Sequence, residues 1–189
     1  KELDISNFLM YSDFFAELPS HYPEIDFVFR PHPLLFNNLL EKHIWTREQI
    51  DTYIVRIKKS PNCRYDDSGD YLQLFADSDA MIHDCGSYIG EYLFTEKPCC
   101  YMLKADKQVR KVLLPMGEAC MAHYYKAFCE AEICNFIENV VLKGNDPLKE
   151  KRQQFSRTHL KFNYPHGAQT IISLLEETIC TDGENGGTI

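Results

Sequence analysis

Residues 80–103, AMIHDCGSYIGEYLFTEKPCCYML, decide the fold. AMIH (80–83) and CCYML (99–103) are short apolar runs bounded by turn signals, the pattern of strands buried on both faces. Between them DCGS (84–87) makes a tight turn, SYIGEYLF (87–94) reads as the helix leaving it, and Lys97-Pro98 ends that helix. Working upstream, IDFVF (25–29) is another β-forming run, stopped by RPHP (30–33). A short edge strand is expected near 63–65.

Helical spacing predicts helices over 3–17 (Leu3, Phe8, Leu9, Phe14 and Phe15, ended by Pro19), 34–43 and 46–59. Thr46 is placed to N-cap the last of these, with Glu48 and Gln49 in its first turn. A short helix over 70–76 has Asp70 near its start. From 104 onward the pattern is mostly helical, clearest over 130–142, 146–160 and 166–180. The polar, Gly-rich stretch 182–189 reads as a frayed tail, leaving one domain over 1–181. Strands alternating with helices predict an α/β, Rossmann-like parallel sheet flanked by helices, closed by a helical C-terminal segment.

With 44% hydrophobic, 25% charged and 13% aromatic residues, the chain can bury a core and is not of disordered composition. No run is long enough to cross a bilayer as a helix, and no secretory leader pattern opens the chain. It starts without Met, directly in a helical pattern, and so reads as part of a longer enzyme. The formal net charge of −8, with no long Lys/Arg run, speaks against nucleic acid and anionic lipid, so any bound anion needs a focused site. The eight cysteines include no CxxC pair and read as reduced cytosolic thiols, with Cys99 and Cys100 as small core residues. No zinc spacing, Walker, GxSxG or GxGxxG pattern is present, and neither a metal nor a cofactor is expected.

Ligands of parallel sheets bind beyond the carboxyl ends of the strands, which singles out the turns RPHP and DCGS. At the second, Gly86 allows positive φ and close backbone approach, Ser87 can cap the helix, and the free amides there attract an anion such as a diphosphate. Glu91 lies one turn on, placed to accept hydrogen bonds from ribose hydroxyls. At the first, Arg30 offers a planar charged fork for phosphate and His32 a donor that strengthens on protonation, both stiffened by Pro31 and Pro33. Ordinary structural readings stand beside these: Gly-Ser caps many turns, Glu91 can be a solvated helix residue, and Arg30 and His32 can simply close a loop. Asp77 and Asp79 read as solvated or capping. His21, His43, His123 and His159 read as structural; His166 could cap a helix or face the cleft, with core packing the better reading.

These residues carry a resemblance. A strand ending in RPHP, followed by GDYLQLFADSDAMIHDCGSYIGEYLFTEKP, is similar to the C-terminal domain of the CDP-glycerol glycerophosphotransferases, bacterial enzymes that build teichoic-acid-like polymers. The similarity covers roughly 25–103 and implies one half of a GT-B architecture, with 1–181 as its nucleotide-binding domain. It implies that Arg30 and His32 contact the donor diphosphate, His32 also stabilising the transition state. Ser87 and the backbone at Gly86 would cradle the same group, Asp84 would orient the turn, and Glu91 would hold the ribose. Where the family often has two consecutive serines this chain has Gly86-Ser87, one hydroxyl fewer.

The implied reaction is attack of an acceptor hydroxyl on the β-phosphorus of CDP-glycerol with release of CMP, for cell-wall or capsule polymers. The polymer acceptor and a histidine general base would come from an N-terminal domain outside this chain, so this part is expected to be inactive alone. Full-length relatives work in the cytoplasm, peripherally at the inner membrane face, attached through other parts of the protein. Two alternatives stay open: a GT-B glycosyltransferase or UDP-sugar 2-epimerase domain, and a non-enzymatic α/β binding module.

Overall fold

A computed structural model describes residues 7–104 and 113–184. In chain order it contains α1 (Phe8–His21), β1 (Phe27–Phe29), α2 (Leu35–Glu41), α3 (Arg47–Lys59), β2 (Cys63–Tyr65), α4 (Leu72–Asp77), β3 (Met81–His83) and α5 (Tyr88–Leu93). Then follow β4 (Cys99–Met102), α6 (Pro115–Met121), β5 (Tyr125–Ala127), α7 (Glu130–Asn135) running into a π-helical stretch (Phe136–Leu142), α8 (Lys149–Phe155) running into another (Ser156–Leu160), and α9 (Gly167–Glu184). All strand pairs are parallel, and helices flank the sheets. None of the described helices is long and apolar enough to cross a membrane.

β4 is buried at every position because it lies between β3 and β5 and is covered on both sides. Successive strand side chains point to opposite faces. Cys99 and Tyr101 enter a core built with Ile89, Tyr92 and Leu93 of α5, Cys120 and Met121 of α6, and Phe155. Cys100 and Met102 enter a second core with Tyr11 and Leu18 of α1, and with Ile133, Phe136 and Ile137. A third cluster joins Ala16 of α1 to Tyr53 and Ile57 of α3 beside Phe29 and Trp45. α3 starts as expected: the Thr46 hydroxyl accepts from Gln49 N–H at 3.2 Å and the Gln49 side chain accepts from Thr46 N–H at 2.8 Å, a complete capping box.

Three expectations about the strands need correction. The runs 25–29, 80–83 and 99–103 do not join one hydrogen-bonded sheet: β1 pairs with β2, while β3, β4 and β5 form a separate sheet. The first run is also shorter than expected and only half-buried over Phe27–Phe29, having a ladder partner on one side alone. Third, β5 is a strand inside the region read as mostly helical. It is three residues long and exposes Lys126, so its pairing with β4, not an apolar run, makes it a strand. α9 continues past residue 181 into the stretch read as a tail; Leu3, 105–112 and 185–189 lie outside the described residues.

The lower part of the fold is fastened by a buried ion pair. Arg152 is fully buried, donates to both carboxylate oxygens of Asp146 and sends Nε–H to the Glu96 carbonyl at 3.0 Å. Tyr125 of β5 donates to the same carboxylate at 2.7 Å. Burial alone would raise the Asp146 carboxyl, but Arg152 and Tyr125 overrule it and hold the pKa below the usual range. Arg152→Ala leaves that carboxylate buried without its cation and should cost about 3–5 kcal/mol in urea unfolding at pH 7. Because the depressed carboxyl stabilises the fold only while ionised, this contribution should be lost as pH falls below about 4, and the difference between parent and variant should shrink there.

Candidate functional site

The two turns singled out by the sequence meet through an aromatic bridge. Arg30 leaves the carboxyl end of β1, and its guanidinium reaches the loop before α4: Nη1 donates to Asp66 Oδ2 at 2.6 Å and to Ser68 Oγ at 3.3 Å, Nη2 to the Ser68 carbonyl at 2.6 Å. Its Cζ sits 5.8 Å from the centre of the Tyr71 ring. Tyr71 packs on Tyr88, the first residue of α5, with centroids 5.1 Å apart. The Glu91 carboxylate beside the Tyr71 hydroxyl pushes that phenol's pKa up. Arg30 is likewise pushed up: burial opposes its charge, but Asp66 and the Tyr88 hydroxyl outweigh it. Arg30, Tyr71, Tyr88 and Glu91 therefore form one polar–aromatic cluster spanning the turn after β1 and the helix after β3.

Arg30 is not a free cation. Its side chain is 13% exposed and paired with Asp66, whose carboxyl is held low by Ser68 and Arg30 against the opposing effect of burial. A phosphate entering here would have to displace Asp66 and the Ser68 carbonyl. His32 is exposed, and its Nδ1 accepts from Leu34 N–H at 3.1 Å while its carbonyl accepts from Leu35 N–H at 2.8 Å. That arrangement puts the proton of the neutral ring on Nε2. His32 thus fastens the start of α2 and keeps one donor for solvent or ligand.

The DCGS turn differs from its expected form. Ser87 stands at the head of α5, but its backbone is already helical (φ −67°, ψ −31°) and its side chain makes no cap. A capping serine needs an extended backbone to swing its oxygen over the first amides. Here the Ser87 hydroxyl lies 3.1 Å from Cys85 Sγ instead. Gly86 and Ser87 are both exposed, and the Gly86 carbonyl accepts from Ile89 N–H at 3.4 Å. The left-handed glycine among the described residues is Gly144, not Gly86. α5 has only six residues, which leaves little macrodipole to attract an anion.

Asp84 orients the turn by contact. Its carboxylate accepts from the backbone N–H of Asn7, its carbonyl accepts from the Tyr101 hydroxyl at 3.0 Å, and Asn7 in turn donates to the Met102 carbonyl at 3.0 Å. The residue that sequence reasoning passed over is His83. It is 6% exposed, its ring lies edge-on to Tyr101 (5.0 Å) and Tyr124 (5.5 Å), and its Nδ1 accepts from Cys85 N–H at 3.2 Å. Nε2 is buried with no hydrogen-bond partner among the described residues. The only signal was a histidine ending an apolar run directly before the turn.

Other expected residues fall elsewhere. His166 is exposed at the root of α9, with its carbonyl taken by Thr170, and is not a core residue. His123 and His159 both stack on Phe155, at 4.3 and 4.7 Å. Asp77 accepts from Gln73 at 2.8 Å on an exposed helix face. The described residues hold no group of His, Cys, Asp and Glu side chains suited to a metal.

Comparison with protein-family models, curated proteins and solved structures finds no match for this chain. Its chemistry is therefore read from the cluster itself. It combines a planar cation able to exchange one anion for another, a carboxylate able to accept from a diol, and two tyrosine rings between them.

Burial holds His83 neutral, lowering its pKa to about 3. The unfolded chain takes up this proton near pH 6.5 and the folded chain only near 3, so stability should fall as pH drops through that window. The slope from this one group is at most about 1.4 kcal/mol per pH unit. Urea midpoints of the parent and His83→Phe between pH 7 and 5 should show the parent losing more stability; parallel curves would refute a neutral, buried His83.

Proposed function

We propose that this domain binds the diphosphate and ribose of a nucleotide-activated donor, as the CDP-glycerol-binding half of a glycerophosphotransferase-like enzyme of GT-B type. The observation that supports this is the meeting of Arg30, from the turn after β1, and Glu91, from the helix after β3, across Tyr71 and Tyr88. On this reading Arg30 exchanges Asp66 for a phosphoryl oxygen, and His32 offers its Nε2–H to the same group. The exposed backbone at Gly86 and Ser87 faces the diphosphate, Asp84 keeps the turn in place, and Glu91 accepts from the ribose hydroxyls.

Transfer forms a bond from the acceptor oxygen to the β-phosphorus and breaks the bond between that phosphorus and the bridging oxygen, which leaves with CMP. Negative charge grows on the departing oxygen, and the guanidinium, once it has exchanged Asp66 for phosphate, stabilises that charge. The acceptor's proton leaves to a base on another domain, and membrane attachment likewise belongs elsewhere in the enzyme. A second reading draws on the Arg30–Asp66 pair: a binding module in which that pair only closes the loop over 66–71.

Calorimetric titration separates the two. Arg30→Ala should weaken both CDP-glycerol and pyrophosphate by about 1.5–3 kcal/mol, the size of a hydrogen bond to a charged group. Glu91→Ala should weaken CDP-glycerol and leave pyrophosphate unchanged. Asp66→Asn, which frees Arg30 from its internal anion, should tighten pyrophosphate. Equal loss of both ligands in Glu91→Ala, or no effect of Arg30→Ala, would overturn the assignment, and tighter binding of a UDP-sugar than of CDP-glycerol would move it to a glycosyltransferase or epimerase.

A further inference from the structure

Among the described residues, α9 leaves a row of aliphatic side chains bare. Ile171, Ile172, Leu174, Leu175 and Ile179 are 55–70% exposed. At 100° per residue they fall, with Ala168, on one contiguous stripe, while Ser173, Glu176 and Glu177 lie outside it. A stripe of this width faces a core in ordinary globular helices, yet no described part of this chain covers it. Two more exposed rings, Phe162 and Tyr164, precede the helix, and Tyr164 packs on Phe94 at 5.4 Å.

The residues on the helix narrow what can cover it. α9 carries no Lys or Arg, and acidic groups occupy its polar face, so an anionic membrane or a nucleic acid is repelled. The stripe is uncharged from 168 to 179, with Thr178 the one polar residue within it, so laying it on an identical stripe buries no unpaired charge. Ile172, Leu175 and Ile179 repeat at three-then-four spacing, the seam of paired helices. The five side chains expose on the order of 600 Å², above the few hundred Å² a monomer usually leaves in one patch. A standard interface takes about 800 Å² per partner, most of which the stripe supplies.

We infer that α9 packs against α9 of a second copy of this chain, closing a two-fold dimer over Ile172, Leu175 and Ile179. Sedimentation equilibrium across micromolar to submillimolar concentration should give twice the 22.0 kDa chain mass. Leu175→Lys and, independently, Ile179→Lys should each raise the dimer dissociation constant at least about tenfold, equivalent to 1.4 kcal/mol. Ser173→Lys, on the opposite face, should leave the dimer intact. Since these side chains are exposed in the single chain, far-UV circular dichroism of the variants should match the parent. A chain of 22.0 kDa at submillimolar concentration, or a dimer indifferent to both stripe variants, overturns the inference. So does a monomer that sediments with phosphatidylcholine vesicles.

Discussion

Cys99 and Tyr101 point into one apolar core, Cys100 and Met102 into another, and both cores need helices to cover them. That two-sided burial of β4 organises the molecule around it. α5 and α6 must lie on one face and α1 and α7 on the other, and β3 and β5 are held parallel at its edges. The turn after β3 is then fixed at the carboxyl end of the sheet, where Tyr101 of β4 donates to the Asp84 carbonyl. A buried strand thus sets the position of an exposed loop.

The candidate site inherits this order unevenly. On the β3 side the turn is braced by buried groups: His83 below it, Asp84 tied to Asn7, and α5 packed through Ile89, Tyr92 and Leu93. On the β1 side the partners of Arg30 are a loop carboxylate and a loop carbonyl, Asp66 and Ser68. The stiff half presents backbone and a carboxylate, whereas the half that carries the cation is held by contacts a competing anion can replace. Selectivity between two anions can arise from that asymmetry alone, since the internal carboxylate sets the strength a ligand must exceed.

Local signals were legible and distant ones were not. The capping box at Thr46 and Gln49 and the strands after the proline and glycine signals could be read because their determinants lie within a few residues. β5 could not: Tyr125, Lys126 and Ala127 form a strand because Cys100, Tyr101 and Met102 are beside them. The pairing of Arg30 with a carboxylate 36 positions away has no local trace, and neither does the burial of Arg152, which a sequence presents as one more charge on an amphipathic helix. Ser87 misled in the other direction. Its residue type suits a cap, but its backbone has already entered the helix. In the candidate site, residue identities were therefore visible and their partners hidden.

Adjacent thiols on opposite faces of β4 have a practical consequence. Cys99 and Cys100 are both fully buried, and burial drives both pKa values up, that of Cys100 to about 12. Alkylating reagents react with thiolates, so neither sulfur is modified until its own face opens. The one peptide that contains both then carries two independent clocks. The order in which Cys99 and Cys100 acquire label records which helical layer peels away from the strand first.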